Sequence, residues 1–303
     1  MGPCVSTFDE LLIAFADVTA NDVIALCGDI STLSEPVVRA DNLTICCEDH
    51  SQPCSLTAVG NHRNLVTEGA SIRLQGITFR DGAPLDNSDI DSSICGANVV
   101  IDAGHLVIDG AGACTIENCK FLNGSCPGFK YGGNLFIRSL TGSVRLERSD
   151  FWNGHADFGG GALVNASLVE VTDCVFANNS GTALVTVSSR SGPFDPSLDL
   201  QVESSAFYDN FGSRGGGILA SGIGKLPKLS VVNCLFERNV ASDNGGVMEA
   251  LFPETNDADV TLLDNSGEDN VSLGSEPHTC NGFSLILGAA YKCLGVDEDF
   301  SPV

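Results

Sequence analysis

The feature that most constrains this chain is a phrase that returns seven times: alternating apolar residues, a short polar break, a phenylalanine, and an Asn or Gly three places on. The copies run Ile72 to Gly82, Cys114 to Gly124, Val144 to Gly154, Val169 to Asn179, Leu200 to Asn210, Leu229 to Asn239 and, in decayed form, Val260 to Asn270. Their anchors are Phe79, Phe121, Phe151, Phe176, Phe207, Phe236 and Gly267. Repetition on a period of about 30 residues marks a solenoid, since one such unit cannot bury its own apolar face and must stack on its neighbours.

In a strand successive side chains point to opposite faces, so Val169 and Val171 share a side, and beyond the bend at Thr172 and Asp173 so do Cys174 and Phe176. The other copies give the same inward set, for example Ile72, Leu74, Ile77 and Phe79, or Leu229, Val231, Cys234 and Phe236. The Gly or Asn three places after each anchor reads as a left-handed turn residue. A glycine-rich second strand follows in YGGNLFI, FGGGALV, SGTALVTV, RGGGILA and NGGVMEA. Two or three short strands per coil predict an all-β chain closed as a parallel β-helix. Asp9 to Val18 carries Leu11, Leu12 and Phe15 at helical spacing and predicts a short N-terminal helix that caps the first coil. The expected organisation is one domain over 1–303, with cap and first strand to residue 30, coils over 31–270 and a C-terminal cap over 271–303.

Charge narrows the function. Against 15 Lys plus Arg stand 39 Asp plus Glu, a net charge of −24, which repels phosphate backbones and anionic membranes and disfavours nucleic acid as a partner. Divalent cations and cationic partners suit such a surface. Thirteen cysteines without zinc knuckles point to disulfides in an oxidising, extracellular compartment. Candidate bridges are Cys280 with Cys293, one of Cys46 and Cys47 with Cys54, Cys4 with Cys27, and Cys95 with Cys126. Cys119, Cys174 and Cys234 fall on alternate coils, too far apart to bridge, and read as small core residues. Sequons at Asn42, Asn123, Asn165, Asn178 and Asn270 are glycosylation candidates. No run reaches the length of a membrane span. The first six residues formally fit a myristoylation pattern, but Pro3 suits it badly and the cysteines argue against it, so a start left by signal-peptide removal is expected.

With VIALCGDI after the helix, the SIRLQGITFRDG coil and the GGGAL and FxNN phrases, the chain resembles the pectin-lyase-like superfamily of right-handed parallel β-helices. It is also similar to the repeats of polymorphic outer-membrane and other adhesin-like surface proteins. The resemblance implies fold and carries no catalytic residue across.

Chemistry is sought on the outward column before each anchor. Glu117 and Glu147 are expected on neighbouring coils, with Arg145 and Arg148 nearby and Lys120 beside Asp150. Paired carboxylates suit calcium or acid and base work on a glycoside, with Lys120, Arg145 or Arg148 as a lyase base; the same residues also make a balanced, solvated face. Trp152, with His155 and Asp157, is the candidate sugar-stacking spot. Asp86, Asn87, Asp89 and Asp91 form an oxygen-rich loop suited to Ca²⁺. Two readings follow. One is a secreted or cell-surface, non-catalytic structural, adhesion or glycan-interacting protein, whose partner is a polysaccharide, cell wall or surface protein. The other is a carbohydrate-active enzyme, a polysaccharide lyase or glycoside hydrolase, working in the lateral groove.

Overall fold

The computed structural model describes residues 4–48, 54–68, 71–83, 99–103, 112–126, 132–188, 198–222, 227–252, 258–274, 283–287 and 290–294. The chain enters through helix α1 (Phe8–Asp17), started by a capping box in which Thr7 Oγ1 accepts the Glu10 N–H while Glu10 Oε2 accepts the N–H groups of Thr7 and Ser6. Leu11 and Phe15, four residues apart, are buried against the first coil. Leu12, expected on the same face, is 38% exposed, because one residue of helical rotation carries it off the buried stripe.

Beyond the helix the strands wind as parallel coils, as the repeat predicts. Most coils contribute three strands, and those around Phe207 and Phe236 add a fourth, Phe211–Arg214 and Val240–Asn244, which join Val271–Ser272 in a separate 3-stranded sheet. In the coil around Phe176 the three are the C-terminal part of Ala162–Thr172, then Val175–Ala177, then Leu184–Ser188. Equivalent strands of successive coils pair in parallel and in register, Phe121 with Phe151, Phe151 with Phe176, and Phe176 with Phe207. The first and third faces merge into a 17-stranded sheet, since Leu135–Glu147 and Ala162–Thr172 run through the corner between them. The second face is a separate 9-stranded sheet from Asp29–Thr32 to Ser266–Glu268. The only antiparallel pair among the described strands joins Phe283–Leu287 to Ala290–Leu294.

The inward set is buried as expected. Phe79, Phe121, Phe151, Phe176, Phe207 and Phe236 form one stack with ring centroids 4.6 to 5.1 Å apart. Each stacked pair contributes about 0.5–1.5 kcal/mol beyond the area it buries. Gly267 has no ring to continue the stack. Phe283 turns its edge onto Phe236 there, at 5.8 Å and 82°.

The turn column differs from the sequence expectation. The left-handed residue lies two places after the anchor, at Asp81, Asn123, Asn153, Asn178, Asp209, Arg238 and Asp269, with φ between 52° and 58°. The next position points inward. There Asn179, Asn210 and Asn239 are buried and Asn270 half-buried, and each asparagine passes its side-chain amide to the next. Where the repeat has Gly124 and Gly154 instead, Asn134 from the glycine-rich strand fills the slot: its Oδ1 accepts the Gly124 N–H at 2.8 Å and its Nδ2 donates to the Trp152 carbonyl. A Cβ on Gly154 would run into the Gly160 carbonyl oxygen and meet that Nδ2 at 2.6 Å, so glycine here admits both the close backbone and the incoming asparagine. A second left-handed column, Gly76, Asn118, Arg148, Asp173, Ser204, Asn233 and Asp264, makes the bend three places before the anchor.

Two of the expected disulfides are present, Cys4–Cys27 and Cys47–Cys54. Cys47 rather than Cys46 is the partner because it continues the inward alternation of Leu43 and Ile45, which leaves Cys46 free on the outer side. Cys126 is disulfide-bonded, while its suggested partner Cys95 lies outside the described residues, as does Cys280 of the Cys280–Cys293 pair. Cys119, Cys174 and Cys234 are buried and free, and Ser149 and Ser205 alternate with them. The serine Oγ atoms accept the N–H groups of Cys119 and Cys174 from the adjacent coil.

Candidate functional site

The outer side of the first face presents two columns. One runs Arg73, Thr115, Arg145, Glu170; the other Gln75, Glu117, Glu147, Thr172. Glu117 and Glu147 are direct register partners, as the sequence spacing predicts. Strand geometry places their Cβ atoms about 5 Å apart, where two bare carboxylates repel.

Arg148 relieves that repulsion. It follows Glu147 in a left-handed conformation, φ 47°, which turns its side chain back over the face. Nη1 then bonds Glu147 Oε1, Nη2 bonds Glu117 Oε1 at 2.6 Å, and Nε bonds Asn118 Oδ1 at 3.1 Å. From the coil on the other side Arg73 Nη2 bonds Glu117 Oε2. Burial works against the charge on Glu117, but the hydrogen bonds and charges of Arg73 and Arg148 outweigh it and hold the carboxyl below its ordinary range. Arg145 pairs with Glu170 at 2.8 Å and Lys120 with Asp150 at 3.6 Å. Each basic residue of the expected set is thus paired to an acid, Arg145 on the first face, Arg148 at the bend and Lys120 beyond it on the second face.

A carboxyl held below its usual range stays ionised at neutral pH and has no proton to donate, and a guanidinium does not act as a base. Chemically this arrangement is a charge-balanced clamp across adjacent coils.

The second face carries the aromatic candidate. Trp152 ends the strand Asp150–Trp152 and is 40% exposed. His155 and Asp157 follow in the exposed turn, His155 bridging by backbone to Ser125 and Ser180. Among the described residues no hydrogen bond or ion pair links these three side chains. The Asp86, Asn87, Asp89 and Asp91 loop lies outside the described residues. The metal-ligating cluster found among the described residues is Cys4, Cys27 and Glu48, whose two sulfurs are bonded to each other.

The sequons are placed unequally. Asn42, Asn123 and Asn178 are exposed, whereas the Asn270 amide donates to the Phe236 carbonyl at 2.8 Å within the inner ladder, and Asn165 lies half-buried on a strand of the 17-stranded sheet. Several ion pairs escaped sequence reasoning, among them Arg63 with Glu35, Arg238 with Asp209, and Arg214 with Glu249. Glu249, fully buried, makes two bonds to Arg214 at 2.8 and 2.9 Å; burial raises its pKa and Arg214 opposes the rise. A lone Glu inside the apolar strand Met248–Phe252 was its only signal.

A family model described as the right handed beta helix region matches residues 75–266, well over half of the chain. The chain belongs to the right-handed β-helix family. No curated protein sequence matches this β-helix chain. Among solved structures, it is similar to an alginate lyase of the PL6 family, a mutant form, with a TM-score of 0.52 and 12% identity. The similarity covers 94% of this chain but 39% of the lyase, so the β-helix here spans well under half of that protein's length. At such identity the likeness establishes the shared pectate-lyase-like fold alone. No helix among the described residues is long and apolar enough to cross a membrane.

Proposed function

We propose that this protein is a secreted or cell-surface β-helix that binds glycans without turning them over, serving a structural or adhesive role. The observation that carries the reading is Trp152: a 40% exposed indole at the end of a strand whose backbone is paired in register with the neighbouring coils. Apolar area left in water is costly, and the C–H face of a sugar ring is well suited to cover it. The ion-paired state of Glu117 and Glu147 supports a binding role over proton transfer, because both carboxylates are already committed to Arg148. The Cys4–Cys27 and Cys47–Cys54 disulfides support an oxidising compartment. The solved alginate lyase supports a polysaccharide as the partner class.

The test is a panel of neutral and acidic polysaccharides, with and without calcium, scored both for retention of the protein and for products. Retention without products, weakened in Trp152→Ala, is expected. Turnover that disappears in Glu147→Gln would overturn the non-catalytic reading and establish the lateral-groove enzyme. A calcium requirement for retention would implicate the Asp86 to Asp91 loop.

A further inference from the structure

We infer that Trp152 and Tyr208 form a two-ring platform for an extended, neutral, β-1,4-linked glycan laid along the axis of the helix, with Ala177 between the rings. This deepens, and rests on, the glycan-binding reading above.

The geometry comes from register. Trp152 pairs with Ala177, and Ala177 with Tyr208, so the three occupy one outward column of the second face. Two rungs separate the rings, about 10 Å along the axis. The inner rings beneath them keep the same pitch, with Phe151 to Phe176 at 4.6 Å and Phe176 to Phe207 at 5.0 Å. Ala177 points outward yet is only 4% exposed, the burial expected of a methyl group flanked by two larger rings. A bulky residue there would split the platform; alanine keeps it continuous.

The pitch selects the ligand. Each residue of an extended β-1,4-linked chain advances by roughly one rung, about 5 Å, so alternate sugars meet alternate rungs. Such a chain presents flat C–H faces to rings spaced as Trp152 and Tyr208 are. The paired strands fix the spacing of the two backbone positions before binding, which lowers the ordering cost.

Polar groups border this column as sugar hydroxyls require. One position further on, the exposed left-handed residues Asn123, Asn153 and Asn178 line its side. Asn153 donates to Asn123 and Asn123 to Asp81, both at 3.0 Å, while Asn178, next to Ala177, makes no side-chain hydrogen bond among the described residues. Its amide is available to a hydroxyl at the centre of the platform. The net charge of −24 disfavours polyanionic chains such as polyuronates.

The test is calorimetric titration of the full chain, with any N-glycans trimmed, using cellohexaose, chitohexaose and hexagalacturonate. Binding of a neutral hexasaccharide in preference to hexagalacturonate is expected. Trp152→Ala and Tyr208→Ala should each weaken it about tenfold, and Tyr208→Phe should keep it. The corresponding disaccharide, too short to span both rings, should bind the wild type weakly and be tolerant of the loss of either ring alone. Thermal unfolding of each variant separates lost binding from lost folding.

If the hexasaccharide needs Trp152 but is indifferent to Tyr208→Ala, the platform falls and the glycan-binding reading stands. If hexagalacturonate binds best, the neutral assignment falls. If none of the three binds and the polysaccharide panel is also silent, the functional reading itself falls. An N-glycan on Asn178 is the competing occupant. It would reveal itself as Trp152 fluorescence that shifts on trimming but not on adding hexasaccharide, and that result would overturn the proposal.

Discussion

Asn179 donates from its Nδ2 to the Oδ1 of Asn210, one coil further on, at 3.0 Å in the buried interior. The same Oδ1 accepts the backbone N–H of Asn179, and Asn210 Nδ2 donates to the Phe176 carbonyl at 2.9 Å. One side chain therefore satisfies three buried groups besides its own bond to Asn239. Asn210→Ala strands them all and should destabilise the protein by about 2–4 kcal/mol, read as a lower urea midpoint. Asn210→Asp should be no milder, since it loses both donors and places a carboxyl in the core.

The phenylalanine stack should be most sensitive where a ring is sandwiched between two others. Phe207 is fully buried between Phe176 and Phe236, so Phe207→Ala should cost about 3–5 kcal/mol through the cavity it leaves. At the end of the stack Gly267 cannot be restored to the repeat pattern. Any Cβ there would run into the Phe236 carbonyl, so Gly267→Ala should lower the melting temperature rather than raise it.

The clamp at Glu117 predicts a pH dependence. Its carboxyl is held below the ordinary range in the folded protein, so its stabilisation is full above the unfolded value and fades as pH falls through the folded one. Wild type should exceed Glu117→Gln by about 1 kcal/mol near neutral pH. The gap should close as pH drops below about 4 in chemical denaturation series.

Core thiols should resist alkylation. Burial pushes Cys119 and Cys174 up to about 12 and Cys234 up to about 11. Iodoacetamide followed by peptide mapping should modify Cys46, which is partly exposed, before any of these three. The core thiols should label only at the rate of unfolding.

Much of the fold was legible because a strand's period of two and the coil's near-constant length are both written in the order of residues. The phenylalanine anchors, the inward aliphatic set and the Glu117–Glu147 pairing could be read from spacing alone. The left-handed position could not. Asn is frequent both where φ is positive, as at Asn178, and where an amide must satisfy buried backbone, as at Asn179, and composition does not tell the two apart. Nor could sequence foresee Asn134 entering the ladder from another strand.

By itself, then, the sequence determined that this chain stacks as a β-helix with a stapled, oxidised N-terminal end and an acidic exterior, because local alternation and repetition leave few other ways to bury its apolar residues. Only the tertiary structure decided that Arg148 locks the paired glutamates, that Cys47 and not Cys46 meets Cys54, and that Trp152, Ala177 and Tyr208 share one column. Those relationships join residues many positions apart, and register between coils, which depends on turn lengths and inward packing together, is what brings them into line.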